Sequence, residues 1–382
     1  MTLQAPWGHA RLLPLITRAA QAGRLPQSVL LFGPEGVGKR SIALWTAAQL
    51  QCREPSPPCG QCRDCRLAVR MQHPDIHLHF PMPRPKSGTP QKMQEASEAM
   101  RRERLDLLAK DSLTPLDEGA ATGIYLSAIR NIRAAASKRP VMGEFTVFVI
   151  DRAEAMVPQA ASQQAANAFL KLLEEPPDFV YILLTSSRQA ALLPTIRSRT
   201  APLHVPAPAA EQLAEHLVEA HGADPAVAQA AARQCGGALG PALRLLESGD
   251  GDAAATADRL FGALMSGSFS ARQRAAAEFS SRGARATLGP AVEELRTRMR
   301  DLLCSAVGTP ELAFSPKTVE SALSGGRERV GGEETPDPDA ILATFPALDV
   351  AAEAANHNLN PQSTTAVLLR DMSRALSGKP GA

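Results

Sequence analysis

Short, unbroken apolar runs alternate with segments of helical spacing through the first half of the chain, whereas the second half is helical in spacing almost throughout. Leu30-Leu31-Phe32, Val147-Phe148-Val149-Ile150 and residues 180–184 are strand-length and lack a polar face, the pattern of strands covered on both sides in a parallel sheet. Between them, residues 9–23 place Leu12, Ile16 and Ala19 on one helical face, with Pro14 confined to the first turn and Gly23 set to end it. Residues 41–51 predict a second helix, carrying Ile42, Leu44, Trp45 and Ala48 toward a core. A third spans 124–137, with Leu126, Ile129 and Ile132 inward and Arg130, Arg133 and Lys138 outward. Those cations suit a phosphate backbone or simply a solvated face. Residues 73–79 read as a short edge strand whose histidines, His73, His77 and His79, sit on its solvent side.

After residue 205 the strand pattern stops. Residues 206–250 predict a small helical lid domain, with a helix over 210–222 and a glycine-rich turn over 236–243. From 251 to 382 the alanine- and leucine-rich spacing predicts a helical collar, interrupted by an exposed loop over 324–339 and closed by helices over 340–355 and 361–376. One stretch inside the first domain differs from its surroundings: Pro81, Pro83, Pro85 and Pro90 precede a charged run over 95–110 and a polar run over 119–123. The segment 81–122 therefore reads as an insertion, partly disordered, with a solvated helix and no assignable chemistry.

The first strand runs into Gly33-Pro34-Glu35-Gly36-Val37-Gly38-Lys39-Arg40. This is a P-loop with one change. In the full pattern backbone N–H groups curl around phosphate oxygens, the lysine neutralises them, and a following Ser or Thr holds Mg²⁺. Gly33, Gly36, Gly38 and Lys39 are in place, but Arg40 stands at the hydroxyl position and offers a hard cation no oxygen. Ser41 comes one residue late, which on a helix turns its hydroxyl about 100° away. Asp151, at the carboxyl end of the strand over 147–150, occupies the Walker B position facing the P-loop. Thr185, Ser186 and Ser187 end the next strand, and any one of them suits a γ-phosphate sensor. Glu154, three residues past Asp151, is expected to face elsewhere.

Four of the six cysteines, Cys52, Cys59, Cys62 and Cys65, fall within fourteen residues of a proline-rich segment. Four thiolates at this spacing close a tetrahedral Zn²⁺ site with no open position, so the metal is expected to be structural. An iron–sulfur cluster is the competitor, but its run needs a further cysteine three residues on, where this chain has Val69. The remaining pair, Cys235 and Cys304, reads as small buried residues. With 41 basic and 39 acidic residues the net charge is only +2, and aromatics make up 4%. That balance argues against a DNA-coating protein and against base stacking as the main mode of binding. The first thirty residues hold no apolar leader, which predicts a cytoplasmic protein with no membrane partner.

The order of these features, with the run Ala166-Asn167-Ala168-Phe169-Leu170-Lys171-Leu172-Leu173-Glu174-Glu175-Pro176-Pro177 and then Ile196-Arg197-Ser198-Arg199, resembles the bacterial clamp-loader AAA+ subunits. The resemblance is close over 1–205 and weaker over 206–250. It implies a P-loop AAA+ domain, a lid and a collar through which subunits assemble into a ring. It also implies that Arg199 is an arginine finger acting in trans on a neighbour's ATP site, although Thr200 replaces the cysteine of the family's Ser-Arg-Cys motif. Where an active AAA+ ATPase carries a water-polarising Glu the chain has Arg152, and where its lid carries a sensing Arg the chain has Gly240, with Arg244 one turn on.

These replacements point to a non-motor subunit that hydrolyses little or no ATP itself, and leave open whether ATP and Mg²⁺ bind in its own site. The implied partners are the motor subunits and delta in a hetero-oligomeric ring, the sliding clamp through that assembly, and primer-template DNA weakly within it. Polymerase activity would belong to the DNA polymerase III holoenzyme as a whole. An ATP-hydrolysing motor subunit and a zinc-dependent nucleic-acid-binding protein are the alternatives.

Overall fold

The computed structural model describes residues 4–85, 88–110, 122–156, 163–248, 252–280, 284–309, 313, 336–356 and 359–377. Strand β1 (Ser28–Phe32) leads into helix α2 (Lys39–Gln51) and is preceded by α1 (Leu12–Gln21). There follow α3 (Arg63–Val69), β2 (Ile76–His79), β3 (Met82–Pro83), α4 (Pro90–Lys110), β4 (Thr122–Gly123), α5 (Leu126–Ala136), β5 (Thr146–Ile150), α6 (Gln163–Glu174), β6 (Val180–Ser186), α7 (Pro194–Arg197) and β7 (Ala201–His204). Five strands form one parallel sheet in the order β2-β5-β6-β1-β7, while β3 and β4 pair in a small antiparallel ladder.

The unbroken apolar runs make sense because this sheet is covered on both faces. Alternate residues diverge: Val29, Leu31, Val147, Val149 and Leu183 pack with Leu12, Ile16, Ile42 and Trp45, whereas Leu30, Phe148, Ile150, Ile182 and Leu184 pack with Ile129, Ile132, Phe169 and Leu173. Each large apolar side chain so buried stabilises the domain by about 1.5–3 kcal/mol. β1 lies between β6 and β7, and the P-loop leaves the sheet at the carboxyl end of its strand, where ligands of such sheets bind.

Two expectations change here. The histidines near β2 are not on a solvated face: His73 and His79 are each only 4% exposed. The segment over 90–110 is the cause, because α4 packs Met100, Leu105 and Leu108 into the same core as Leu78 of β2 and so covers the sheet edge. The insertion thus contributes a packed helix, while 111–121 lies outside the described residues. Nearby, Asp75 accepts the backbone N–H groups of Val141, Met142 and Gly143 at 2.6–2.8 Å and fixes the entry to β5.

The described chain divides into two compact units, with the boundary at Leu246 and Glu247. The first also holds α8 (Ala210–His221), α9 (Pro225–Gln234) and α10 (Leu239–Ser248), whose small core centres on Leu213, Leu217, Ala228 and Ala232. The second contains α11 (Asp252–Met265), α12 (Phe269–Ala277), α13 (Ala284–Ala306), α14 (Pro338–Leu342), α15 (Phe345–Asn356) and α16 (Pro361–Leu376). Its core joins Leu260, Phe261, Leu295, Met299, Leu348, Leu369 and Met372. The single helix expected over 340–355 is broken after Leu342. Pro346 explains the break: inside a continuous helix its ring would meet the carbonyl of Leu342, whereas a fresh start at Phe345 puts it in the first turn. Most of the loop expected over 324–339 lies outside the described residues.

Candidate functional site

Gly33 turns the chain off β1 so tightly that a Cβ there would lie 2.1 Å from the Val205 carbonyl oxygen. Gly36, at φ +75°, sits under Pro241 of α10, whose ring a side chain would strike at 2.4 Å, and Gly240 N–H donates to Gly36 O at 3.4 Å. These two positions demand glycine for close approach and, at Gly36, for backbone sign. His9 Nε2 donates to Val37 O at 2.7 Å and braces the far side of the loop. Burial holds this imidazole below its ordinary pKa, against the raising effect of that bond.

Lys39 is the first residue of α2 and is nearly buried. Its ammonium donates to the carbonyls of Gly33, at 2.9 Å, and Pro34, and to Ser187 Oγ at 2.9 Å. All three N–H bonds are thereby used within the protein. Burial lowers its pKa, opposed by the charges of Asp151, Glu154 and Glu35. Beside it, Arg40 places Nη1 3.5 Å from Asp151 Oδ2. The other carboxylate oxygen accepts the Thr185 hydroxyl at 2.6 Å, and that hydroxyl in turn accepts the Arg152 N–H at 3.1 Å. Arg152 adopts φ +53°, a conformation side chains rarely take, as part of this turn.

The register at the end of β6 follows. Thr185 serves Asp151, Ser186 accepts the Arg188 N–H, and Ser187 faces Lys39. The expectation for Glu154 is corrected. A short 3₁₀ turn over Ala153–Met156 swings it back toward the P-loop, where it is 7% exposed and Oε1 accepts the Ser187 N–H at 3.2 Å. Three residues complete a turn of 3₁₀ helix and return a side chain to the same side, whereas in an extended strand they leave it on the opposite face, so its direction was not readable without the turn type.

This donor set does not suit Mg²⁺. Ser41 is exposed, Arg40 supplies no oxygen, and both oxygens of Asp151 already have partners, one of them a cation. On α10, Arg244 Nη1 lies 3.7 Å from where a Gly240 side chain would begin, so a guanidinium does stand beside the glycine that replaced the expected arginine.

Away from the P-loop, Cys52, Cys59, Cys62 and Cys65 bring their sulfurs within 4.8 Å of one another. Cys62 Sγ and Cys52 Sγ are 3.9 Å apart, close to the edge of about 3.8 Å that a tetrahedron with metal–sulfur bonds of about 2.3 Å requires. The backbone aims its N–H groups at the sulfurs: Cys59 N at Cys52, Gln61 N and Cys62 N at Cys59, and Cys65 N at Cys62, all at 3.2–3.4 Å. Those from Gln61 and Cys62 draw the Cys59 thiol down to about 7, whereas burial pushes Cys62 and Cys65 up. The four cysteines can bind a metal ion. Cys65 differs from expectation only in lying on the first turn of α3, with Cys62 as its N-cap.

Arg199 lies in the short link between α7 and β7. Its Nη2 pairs with Glu174 Oε1 at 2.8 Å, and its Nη1 donates to Thr195 O at 3.0 Å and Ser198 Oγ at 3.3 Å. The side chain remains 34% exposed. The P-loop residues, Asp151 and the β6 terminus are therefore brought together, while the cysteines and Arg199 form separate features.

Among known proteins, the model of the family described as DNA polymerase III, delta subunit, matches residues 8–209. The DNA polymerase III subunit delta' of Pseudomonas aeruginosa is 31% identical over 225 residues, 58% of this chain and 55% of that one. Subunit tau of Escherichia coli is 29% identical over 255 residues, 64% of this chain and 33% of that one. The chain thus spans about half, or less, of the length of the relatives it matches. A solved gamma subunit-related protein from Thermotoga maritima aligns over 95% of this chain and 99% of its own at 16% identity, with a TM-score of 0.42.

Proposed function

The chain belongs to the DNA polymerase III delta subunit family, and from that premise we propose that it is a delta-prime-like, non-motor subunit of the clamp loader. In this role it helps place the sliding clamp on primed DNA while leaving ATP hydrolysis to its neighbours in the ring. One observation carries the reading: the Arg40 guanidinium pairs, at 3.5 Å, with Asp151, the carboxylate that would help hold Mg²⁺ in a P-loop ATPase. A P-loop motor needs that metal to bridge phosphate oxygens and absorb developing charge. Arg152 at the water-activating position supports the same conclusion.

Arg199 is the group this subunit lends. Its exposure and its position after α7 suit delivery to an adjoining protomer, where a guanidinium beside the transferred phosphoryl group is worth about 10³–10⁵ in rate. To act there it exchanges the Glu174 carboxylate for phosphate oxygens. The partners of this reading are motor subunits and delta, with the clamp and primer-template DNA reached through the assembly. The four-cysteine knuckle holds Zn²⁺ as a structural ion, because four sulfurs complete its coordination and leave no site for water.

The test uses the reconstituted loader. Arg199→Ala is expected to lower DNA-stimulated ATP hydrolysis of the assembly at least a hundredfold, while the purified subunit alone releases no phosphate with or without the substitution. Rapid Mg²⁺-dependent hydrolysis by the isolated chain would instead favour a motor subunit.

A further inference from the structure

In the second unit, α12 packs against α16 and leaves a pocket of about 160 Å³ lined by Phe269, Arg272, Gln273, Ala366, Arg370, Ser373 and Arg374. That volume has room for one side chain, which would rest on the Phe269 ring, Ala366 and the aliphatic stems of the arginines. Phe269 opens α12 behind the Ser268 cap and is 69% exposed, although nothing in the helix requires an aromatic at its first position. Val367, next to Ala366 on α16, is a further exposed apolar residue at 42%.

Three guanidinium groups ring this pocket, and their charge is poorly compensated. Arg370 donates to Asp371 Oδ1 at 2.8 Å, and Arg272 uses Nη1 on the Gly267 carbonyl, a neutral acceptor. The side chain of Arg374 makes no hydrogen bond or ion pair among the described residues. The described lining therefore holds three cations and no carboxylate, with Asp371 beside Arg370 as the one acidic partner these arginines have among the described residues. An exposed aromatic ring beside clustered, donor-rich arginines complements an acidic segment with an apolar anchor, since arginine holds carboxylates in bidentate fashion while the anchor packs on the ring.

We infer that this pocket is a docking site for an acidic peptide segment of a partner protein, which seats one large apolar side chain against Phe269 and its carboxylates on Arg370 and Arg374. Nucleic acid fits less well. Single strands are followed by cations strung along a groove, whereas these surround a single pocket in a chain of net charge +2.

The experiment titrates a fluorescein-labelled peptide of one phenylalanine flanked on each side by two aspartates, amidated at its carboxyl terminus, with the full chain. Fluorescence polarisation reports binding, and a dT oligonucleotide of 20 nucleotides serves as the competing probe. The double variant Arg370→Glu, Arg374→Glu is expected to weaken peptide binding at least tenfold, and Phe269→Ala about tenfold. Because these side chains are exposed, thermal melting should show both variants folded, and raising salt should weaken the parent more than the charge-reversed variant. The proposal is overturned if the peptide does not bind, if charge reversal leaves its affinity unchanged, or if the oligonucleotide binds more tightly through the same arginines.

Discussion

The P-loop and the cysteine knuckle are both tight turns that gather ionisable side chains, yet they balance charge in opposite ways. In the P-loop the protein completes its own circuit. Lys39 is bonded to two carbonyls and Ser187, and Arg40 lies against Asp151. At the knuckle, among the described residues, every hydrogen bond to a sulfur comes from a backbone N–H or another thiol, and none from a cationic side chain. The difference teaches which site still calls for an ion. A carboxylate already paired with arginine gains little from Mg²⁺, whereas clustered thiols become thiolates readily only when a cation holds them.

The sharpest way to break this comparison is to remove the metal. Mass spectrometry of the native protein should find one Zn²⁺ per chain, absent from Cys59→Ser. Zinc affinity at such sites is on the order of 10 kcal/mol, so stripping it should expose residues 52–69 to protease while the sheet stays folded. A metal-free protein with the same protease resistance would put the two turns in one class.

A second, smaller effect tests burial without compensation. Burial, reinforced by Arg101, lowers the His77 pKa to about 4 from 6.5. Above pH 6.5 the ring is neutral whether folded or unfolded and contributes no pH dependence. Between 6.5 and about 4 the unfolded chain takes a proton that the folded chain refuses, so stability falls by up to roughly 3 kcal/mol as pH drops through that window. Urea midpoints at pH 7.5, 5.5 and 4.5 should fall less steeply for His77→Phe than for the parent. His79, more deeply buried, should act in the same direction.

The smallest effect concerns the P-loop itself. Arg40 is 26% exposed in its pair, so Arg40→Ala should cost only about 1 kcal/mol in urea denaturation. Arg40→Thr should also give the protein a rise in melting temperature on adding Mg²⁺ that the parent lacks. Equal Mg²⁺ responses would show that the arginine does not stand in for the metal.

Much of the first unit could be read directly from the chain. The strands over 147–150 and 180–184 were legible because both faces of a parallel strand must be apolar, and the P-loop because its glycines recur at fixed spacing. The cysteine cluster was legible too, since short loops leave four sulfurs few ways to avoid meeting. Other features depended on remote packing. Nothing local to 73–79 reveals that α4 will cover it, nor does 340–355 declare which end of Pro346 the helix will start from until the core around Leu348 is formed.

The sequence by itself determined the elements and the chemical inventory: an α/β layer followed by helices, an arginine where a metal-binding hydroxyl is expected, and four thiols in one turn. Only the tertiary structure decided the pairings, because they join residues far apart along the chain. Arg40 reaches Asp151 across the sheet, Thr185 rather than Ser187 serves that carboxylate, and Glu154 turns back toward Lys39. The physical reason is range. Periodicity and turn chemistry act over a few residues, while the partner that satisfies a buried charge is chosen by which strands lie side by side.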